Sequence, residues 1–104
     1  MDQLQRRLLL HSVLTDILGT THVYFQPPES VKLEYPCIIY SRSSGDTQFG
    51  NNKPYVYYQR YSVMVISRDP DSDLVYKVSQ LPMCVYDRHY TADNLHHDLF
   101  NLYF

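Results

Sequence analysis

The chain has 104 residues, of which 44% are hydrophobic and 19% are charged, a balance typical of one globular domain and unlike a disordered tail. Nine Lys and Arg residues against eleven Asp and Glu residues give a formal net charge of −2, without the basic face that nucleic-acid phosphates require. Eleven Tyr and four Phe against three Gly favour β-sheet. We therefore predict a single α+β domain over residues 1–104.

Residues 2–18 predict an amphipathic helix that ends at Gly19, a residue suited to a left-handed stop. Apolar residues recur there at three- and four-residue steps: Leu4, Leu8, Leu9, Leu10, Val13, Leu14, Ile17 and Leu18. The stripe is wide enough to cover more than one surface, and packing on the core is the interpretation that we favour. We expect the polar residues largely on the other side: Gln3, Arg6, Arg7, Ser12 and Asp16. The polar interruptions exclude a secretion signal, and no stretch approaches the roughly 20 apolar residues of a bilayer span, so no membrane partner is expected.

Three strand signals follow. Val23–Phe25 is short and is stopped by Pro27 and Pro28. The second strand runs from Cys37 to about Arg42, and the third from Tyr55 to Ser67. The Ser-, Gly-, Asp- and Asn-rich residues 43–53 between them are too many for a tight turn and too few for a crossover helix. We interpret them as a protruding β-hairpin arm.

The second helix is predicted to begin with Asp69 as its N-cap and Pro70 in its first turn, and to end at Pro82. Residues 83–86 then predict a strand, residues 87–97 a polar connection, and residues 99–104 a closing strand. The predicted order is α-β-β-β-α-β-β. It indicates a mostly antiparallel mixed sheet of about four to five strands with helices packed on one face.

The residues provide no positive support for catalysis, a metal or a cofactor. His96 and His97 are adjacent and diverge in any regular structure, and His89 lies seven residues upstream. The acidic run from Asp69 resembles a calcium loop but lacks its Gly and Glu, and three glycines cannot build a phosphate-binding loop. Cys37 and Cys84 are expected to be free thiols, although pairing across neighbouring strands stays open. We predict no catalytic, metal or cofactor site.

Tyrosines and one arginine form a dense cluster at the start of the third strand: Tyr55, Tyr57, Tyr58, Arg60 and Tyr61. Tyr and Arg are enriched at interface hot spots, but aromatic residues also pair across strands inside small sheets. We assign Tyr61 to the core. For Tyr55, Tyr57 and Tyr58 both interpretations stay open.

Several segments together resemble the tail-completion proteins of long-tailed bacteriophages, also called tail terminators or tail-to-head joining proteins. The segments are Val23–Pro28, Leu33–Tyr40, Asn52–Tyr55 with the strand that follows, Asp87–Leu95, and His97 with Asp98. They cover most of the chain and contain no catalytic signature. The resemblance implies a subunit that closes the finished tail tube and offers a docking face to the head connector.

The family resemblance also implies the partners: further copies in a ring, with six as the expected number, the tail tube protein and the head–tail connector. DNA would pass through the ring without being read by sequence. The resemblance places the protein in the virion after synthesis in the host cytoplasm. Carried to the arm and its flanks, it marks eight residues as candidate interface positions: Asp46, Phe49, Asn51, Asn52, Lys53, Tyr55, Tyr57 and Tyr58. Arg88 and His89 are added from the polar and aromatic segment Asp87–Tyr90, which an ordered loop held by an Asp87–Arg88 ion pair explains nearly as well.

Two other functions fit the residues less well. One is a small nucleic-acid or ligand-binding α+β module that stacks its targets on the aromatic sheet, which predicts a monomer with salt-dependent binding of single strands. The other is a small enzyme that uses Cys84 or the region of His89, His96 and His97. It predicts that one Cys or His substitution abolishes an activity without changing the fold.

Overall fold

The computed structural model describes residues 2–50 and 53–104, with the side chains of residues 2–43 and 59–104. Within that part of the chain, the elements follow the predicted order: α1 (Gln3–Leu18), β1 (Val23–Phe25), β2 (Cys37–Gly50), β3 (Lys53–Ser67), α2 (Asp73–Ser79), β4 (Cys84–Ala92) and β5 (Leu95–Tyr103). The strands form one mixed sheet in the order β1-β2-β3-β5-β4. Only β1 and β2 pair in parallel, and the other neighbours are antiparallel. The predicted α+β architecture is confirmed.

Local signals define both ends of α1. The Asp2 carboxylate accepts a hydrogen bond from the Gln5 backbone at 2.8 Å, and the Gln5 side chain accepts one from the Asp2 backbone at 3.0 Å. This reciprocal capping box satisfies two amide groups that a helix start leaves unpaired. Gly19 ends the helix with a φ of 81°, a left-handed conformation in which a side chain would be strained.

The prediction for the start of α2 was wrong. The helix begins at Asp73, and its N-cap is Ser72, whose hydroxyl accepts a hydrogen bond from the Leu74 backbone at 3.3 Å. The Asp69 carboxylate accepts from the Asp71 backbone at 2.9 Å instead. Asp69 and Pro70 therefore shape a turn before the helix, because an Asp side chain caps a local turn as readily as a helix start.

Residues 43–50, predicted as part of a connection, belong to β2. The antiparallel ladder with β3 continues to the pair Gly50 and Lys53, with irregularities between Arg42 and Ser44 and between Gln48 and Phe49. The sequence did not indicate this strand, because residues 43–50 are polar and glycine-rich and lack the apolar alternation of a half-buried strand. The predicted hairpin arm is thus an extended two-stranded ribbon.

The predicted polar connection over residues 87–97 was also wrong. Strand β4 continues to Ala92, and a two-residue turn leads directly into β5 at Leu95. The turn residues Asp93 and Asn94 have φ angles of 54° and 62°, the left-handed pair that a tight hairpin requires. After Cys84, every residue of β4 is exposed, so its sequence lacks the period-two signal of a half-buried strand.

Both helices pack on one face of the sheet. The largest cluster of buried side chains joins α1, α2 and four strands: Leu10, Leu14, Val23, Ile38, Tyr40, Tyr61, Val63, Val65, Leu74, Val78, Phe100 and Leu102. Tyr61 is fully buried there, as predicted. A smaller cluster of Cys37, Ile66 and Leu95 covers part of the opposite face. In the described part of the chain, neither helix has the length and apolar character of a membrane span.

Candidate interaction surfaces

The hairpin arm, defined here as residues 44–50 and 53–58, is the part of the ribbon that extends past the rest of the sheet. The ladder between β3 and β5 ends at the pair Arg60 and Tyr103, and the backbone amide of Phe104 donates to Gln59 at 3.1 Å. Beyond Gln59, the described strand β3 pairs with β2 alone. Six further residues of strand extend roughly 20 Å at the usual rise per residue. The overall dimensions of 51 × 24 × 23 Å agree with such an extension.

Most of the predicted interface residues lie on this arm. Strand pairing places Asp46 opposite Tyr58 and Thr47 opposite Tyr57, while Phe49 pairs with Pro54 next to Lys53 and Tyr55. Asn51 and Asn52 lie entirely outside the described part of the chain. The other predicted residues of the arm are described without their side chains: Asp46, Phe49, Lys53, Tyr55, Tyr57 and Tyr58. Whether the arm tyrosines face a partner therefore stays a prediction.

The first half of α1 is turned opposite to the prediction. Leu4, Leu8 and Leu9 are 56%, 52% and 47% exposed, whereas the polar side chains of Gln3 and Arg7 lie towards the sheet. The two polar residues and His11 are spaced by four, which places them on one side of the helix. Three leucines that were expected to pack on the core are thus exposed: Leu4 and Leu8, one turn apart, form an exposed apolar ridge, and Leu9 is exposed on another side of the helix.

Tyrosine hydroxyl groups from the sheet explain this orientation. The Tyr61 hydroxyl accepts a hydrogen bond from the Gln3 amide at 2.8 Å, and the Tyr40 hydroxyl lies 2.7 Å from His11 Nδ1. The Arg7 guanidinium lies 4.3 Å from the centre of the Phe25 ring, a cation–π contact. Buried hydroxyl groups must find polar partners, so Gln3 and His11 meet the sheet beside the buried Leu10 and Leu14.

We call these contacts between α1 and the sheet tyrosines the seam. The protonation states of its histidine and its tyrosines fit its hydrogen bonds. Desolvation, together with the charge of Arg7, lowers the pKa of His11 below its usual 6.5. Burial raises the pKa of Tyr40 and of Tyr61. A neutral His11 has an unprotonated ring nitrogen, which can accept a hydrogen bond from the Tyr40 hydroxyl.

An apolar groove of about 320 Å³ opens between α1 and the turn that leads into β4. Ten residues line it: Arg6, Leu9, Leu10, Val13, Leu81, Pro82, Met83, Leu102, Tyr103 and Phe104. Leu9 and Met83 stand on its rim, and each is about half exposed. Tyr103 and Phe104 also flank the root of the arm, since their strand ends beside Arg60 and Gln59. Groove and arm therefore lie at the same end of the sheet.

The remaining two predicted interface residues, Arg88 and His89, are exposed on the edge strand β4. They follow Asp87, where the register of the ladder shifts between Tyr86 and Arg88. The Asp87–Arg88 ion pair considered from the sequence is absent from the described residues, in which salt bridges join His22 to Glu34 and Lys77 to Asp73. A bulge and charged side chains on an edge strand hinder its pairing with strands of other molecules.

Sequence spacing did not bring out the histidine contacts of this hairpin. His89 Nε2 lies 3.2 Å from His96 Nδ1 and the two rings stack, while His97 stacks on Tyr90 with ring centres 4.5 Å apart. His96 and His97 thus point to opposite faces, as adjacent strand residues do. Only the turn at Asp93 and Asn94, recognised as a two-residue hairpin, could have predicted the meeting of His89 and His96.

The titratable groups of the described residues are not arranged as a metal site, since no cluster of three His, Cys, Asp or Glu side chains is placed to hold an ion there.

Cys37 and Cys84 are both free thiols, as expected, and pack in the two different core clusters. Burial raises the pKa of Cys37 to about 11 and also raises that of Cys84, which disfavours the nucleophilic thiolate. The pKa of Tyr86 is raised to about 12 by desolvation and by the Asp98 carboxylate, which accepts a hydrogen bond from the Tyr86 hydroxyl at 2.8 Å.

Comparison of the chain with protein-family models, with curated proteins and with solved structures finds no significant match.

Proposed function

We propose that this chain is a structural virion protein of a long-tailed bacteriophage. It caps the assembled tail tube and forms the joint between the tail and the head connector by assembling into a ring, expected to be a hexamer. Its role is mechanical and not enzymatic, and DNA passes through the ring without sequence-specific contacts. The family resemblance of the sequence supports this assignment.

The observation that carries the proposal is the arm. A two-stranded hairpin is marginally stable in water by itself and needs a third strand or a packed face. In the described chain, the ladder with β5 ends at Arg60, and the arm continues roughly 20 Å beyond it at the usual rise per residue. A segment of this kind gains its missing contacts by binding another subunit.

The exposed ridge of Leu4 and Leu8 is a second surface on a different element. Exposed apolar side chains that cluster mark contact sites more often than isolated ones do. Two different surfaces on one subunit are what a heterologous ring requires, because each copy presents one face to the copy before it and the other to the copy after it.

The direct test measures the molar mass of the protein by light scattering over a concentration series, with and without purified tail tubes. We expect a ring to form on the tube end, either from monomers or from rings already present in solution. A strict monomer that never joins tubes would overturn the proposal. If that monomer instead bound single-stranded nucleic acid with a steep salt dependence, the nucleic-acid-binding alternative would take its place.

A double substitution on the arm tests the role of its tyrosines. We expect Tyr57→Ala with Tyr58→Ala to weaken joining by more than about 1 kcal/mol if both are interface anchors. Tyr76→Ala, at a residue of α2 that is 66% exposed, is the matched control and should leave joining unchanged. Loss of folding in the double variant would show that the two tyrosines belong to the core.

A further inference from the structure

We infer that the hairpin arm of one copy docks in the apolar groove between α1 and the β4 turn of the next copy. The inference rests on the proposed function, because it names the acceptor surface for the arm in the ring. The contact itself is a property of the chain and can be tested without a phage tail.

The groove has the chemistry of a protein-docking site. Nine of its ten lining residues are apolar or aromatic, with Arg6 as the only charged one. Its rim residues Leu9 and Met83 remain about half exposed. A pocket with an apolar floor and aromatic walls suits a bulky apolar or aromatic anchor.

The arm provides side chains of that kind on a segment that lacks a third strand. Its described strands contain one phenylalanine, three tyrosines and a valine within thirteen residues: Phe49, Tyr55, Val56, Tyr57 and Tyr58. Its only charged residues are Asp46 and Lys53. Tyr brings a large contact area at a low cost in conformational entropy, because it has only two rotatable side-chain bonds.

Geometry assigns the arm to a neighbouring copy. The groove opens beside the root of the arm, where Phe104 bonds to Gln59. From that root the ribbon extends away from the rest of the sheet. Its two strands stay paired, with the irregularities described above, as far as Gly50 and Lys53. An arm that leaves its own groove behind can fill only the groove of a second molecule. Repetition of that contact gives a head-to-tail ring or filament.

Disulfide trapping between two single-cysteine additions tests the contact directly. One chain carries Leu9→Cys in the groove, the other carries Tyr57→Cys on the arm, and the two are mixed and oxidised. Tyr76→Cys is the matched control, since Tyr76 is also exposed on a helix but does not line the groove. The native Cys37 is fully buried, and parallel oxidation of the unmodified chain measures the background from Cys84.

We expect the Leu9→Cys chain to form the mixed disulfide in about tenfold higher yield than the Tyr76→Cys chain, because docking raises the effective concentration of the two thiols. The reaction is run on free protein at high concentration and on protein added to tail tubes. Equal yields from the two helix positions under both conditions would overturn the inference.

Assembly on tubes separates this inference from the proposed function. Leu9→Glu should abolish ring formation, while Tyr76→Glu on α2, outside the groove, should retain it. If the unmodified chain joins tubes and Leu9→Glu joins them equally well, the groove is not the acceptor and the proposed function stands. If the chain never joins tubes but the Leu9→Cys disulfide forms selectively, the proposed function is wrong and the docking contact stands.

Discussion

The two halves of α1 bury different kinds of side chain. In the second half, Leu14 is fully buried and packs with Val78 and Ile38 in the main core. In the first half, Leu10 is buried but Leu4 and Leu8 are exposed, and the polar side chains of Gln3 and Arg7 meet the sheet. The difference shows that an apolar stripe marks a surface that needs a partner without saying which partner covers it. For the second half the partner is the chain's own sheet, and for the first half we propose another subunit.

Truncation of a core leucine should give the largest effect. We expect Leu14→Ala to lower the free energy of unfolding by about 2–5 kcal/mol, since it removes a fully buried side chain and leaves a cavity. Denaturant unfolding followed by circular dichroism measures the change. A loss below about 1 kcal/mol would show that the second half of α1 is not held by the core as described.

Removal of one seam hydroxyl should give an intermediate effect. Tyr40→Phe keeps the buried ring against Phe25 and Tyr61 and deletes the contact with His11, so we expect a loss of about 1 kcal/mol. Tyr61→Phe deletes the bond from Gln3 near the start of the helix, and its loss should be no larger. An unchanged stability in both variants would mean that the tyrosine hydroxyl groups do not orient α1.

The seam should also make stability depend on pH. The folded state lowers the pKa of His11, so the unfolded chain binds the proton more readily. The stability contribution is therefore fully present above the unfolded pKa of 6.5 and falls as the pH drops from there towards the folded value. His11→Gln keeps an acceptor for the Tyr40 hydroxyl without titrating, and it should show a smaller loss of unfolding free energy between pH 7.5 and 5.5. An identical loss in both proteins would assign the pH dependence to other groups.

Truncation on the exposed ridge should give the smallest change in stability. We expect Leu8→Ala to alter the unfolding free energy of the isolated chain by no more than about 0.5 kcal/mol, because the side chain is 52% exposed. The same unfolding experiment as for Leu14→Ala measures it. A cost comparable to that of Leu14→Ala would place Leu8 in the core and remove the contrast between the two halves.

Much of the fold was predictable because its signals are local. Gly19 marked the end of α1, Val23–Phe25 was recognised as a strand, and the long alternating run placed Tyr61 in the core. The prediction of a connection was wrong for β4, which has no buried face after Cys84. Alternation appears in a sequence only where one side of a strand is buried, so β4 has no such signal. Residues 43–50 were interpreted as part of a hairpin arm, and they pair with β3 as the outer part of β2.

One candidate surface was also predictable from the sequence, and the other was not. The sequence indicated the arm, since a long polar connection between two strand signals is visible without coordinates. It did not reveal the groove, whose walls come from α1, from Met83 and its neighbours, and from the last residue of the chain. Arg88 and His89 were singled out by residue type, but their place on an edge strand, and the contact of His89 with His96, depend on strand pairing.

By itself, the sequence determined the order of the elements, the length of α1 and the composition of the arm, because capping boxes, glycine stops and strand periodicity act over a few residues. The tertiary structure alone decided which side of α1 meets the sheet. That choice depends on hydroxyl groups 29 and 58 residues away from their partners on the helix. Buried hydroxyl groups need a polar partner, and the polar stripe of α1 provides it while leaving Leu4, Leu8 and Leu9 for another molecule to cover.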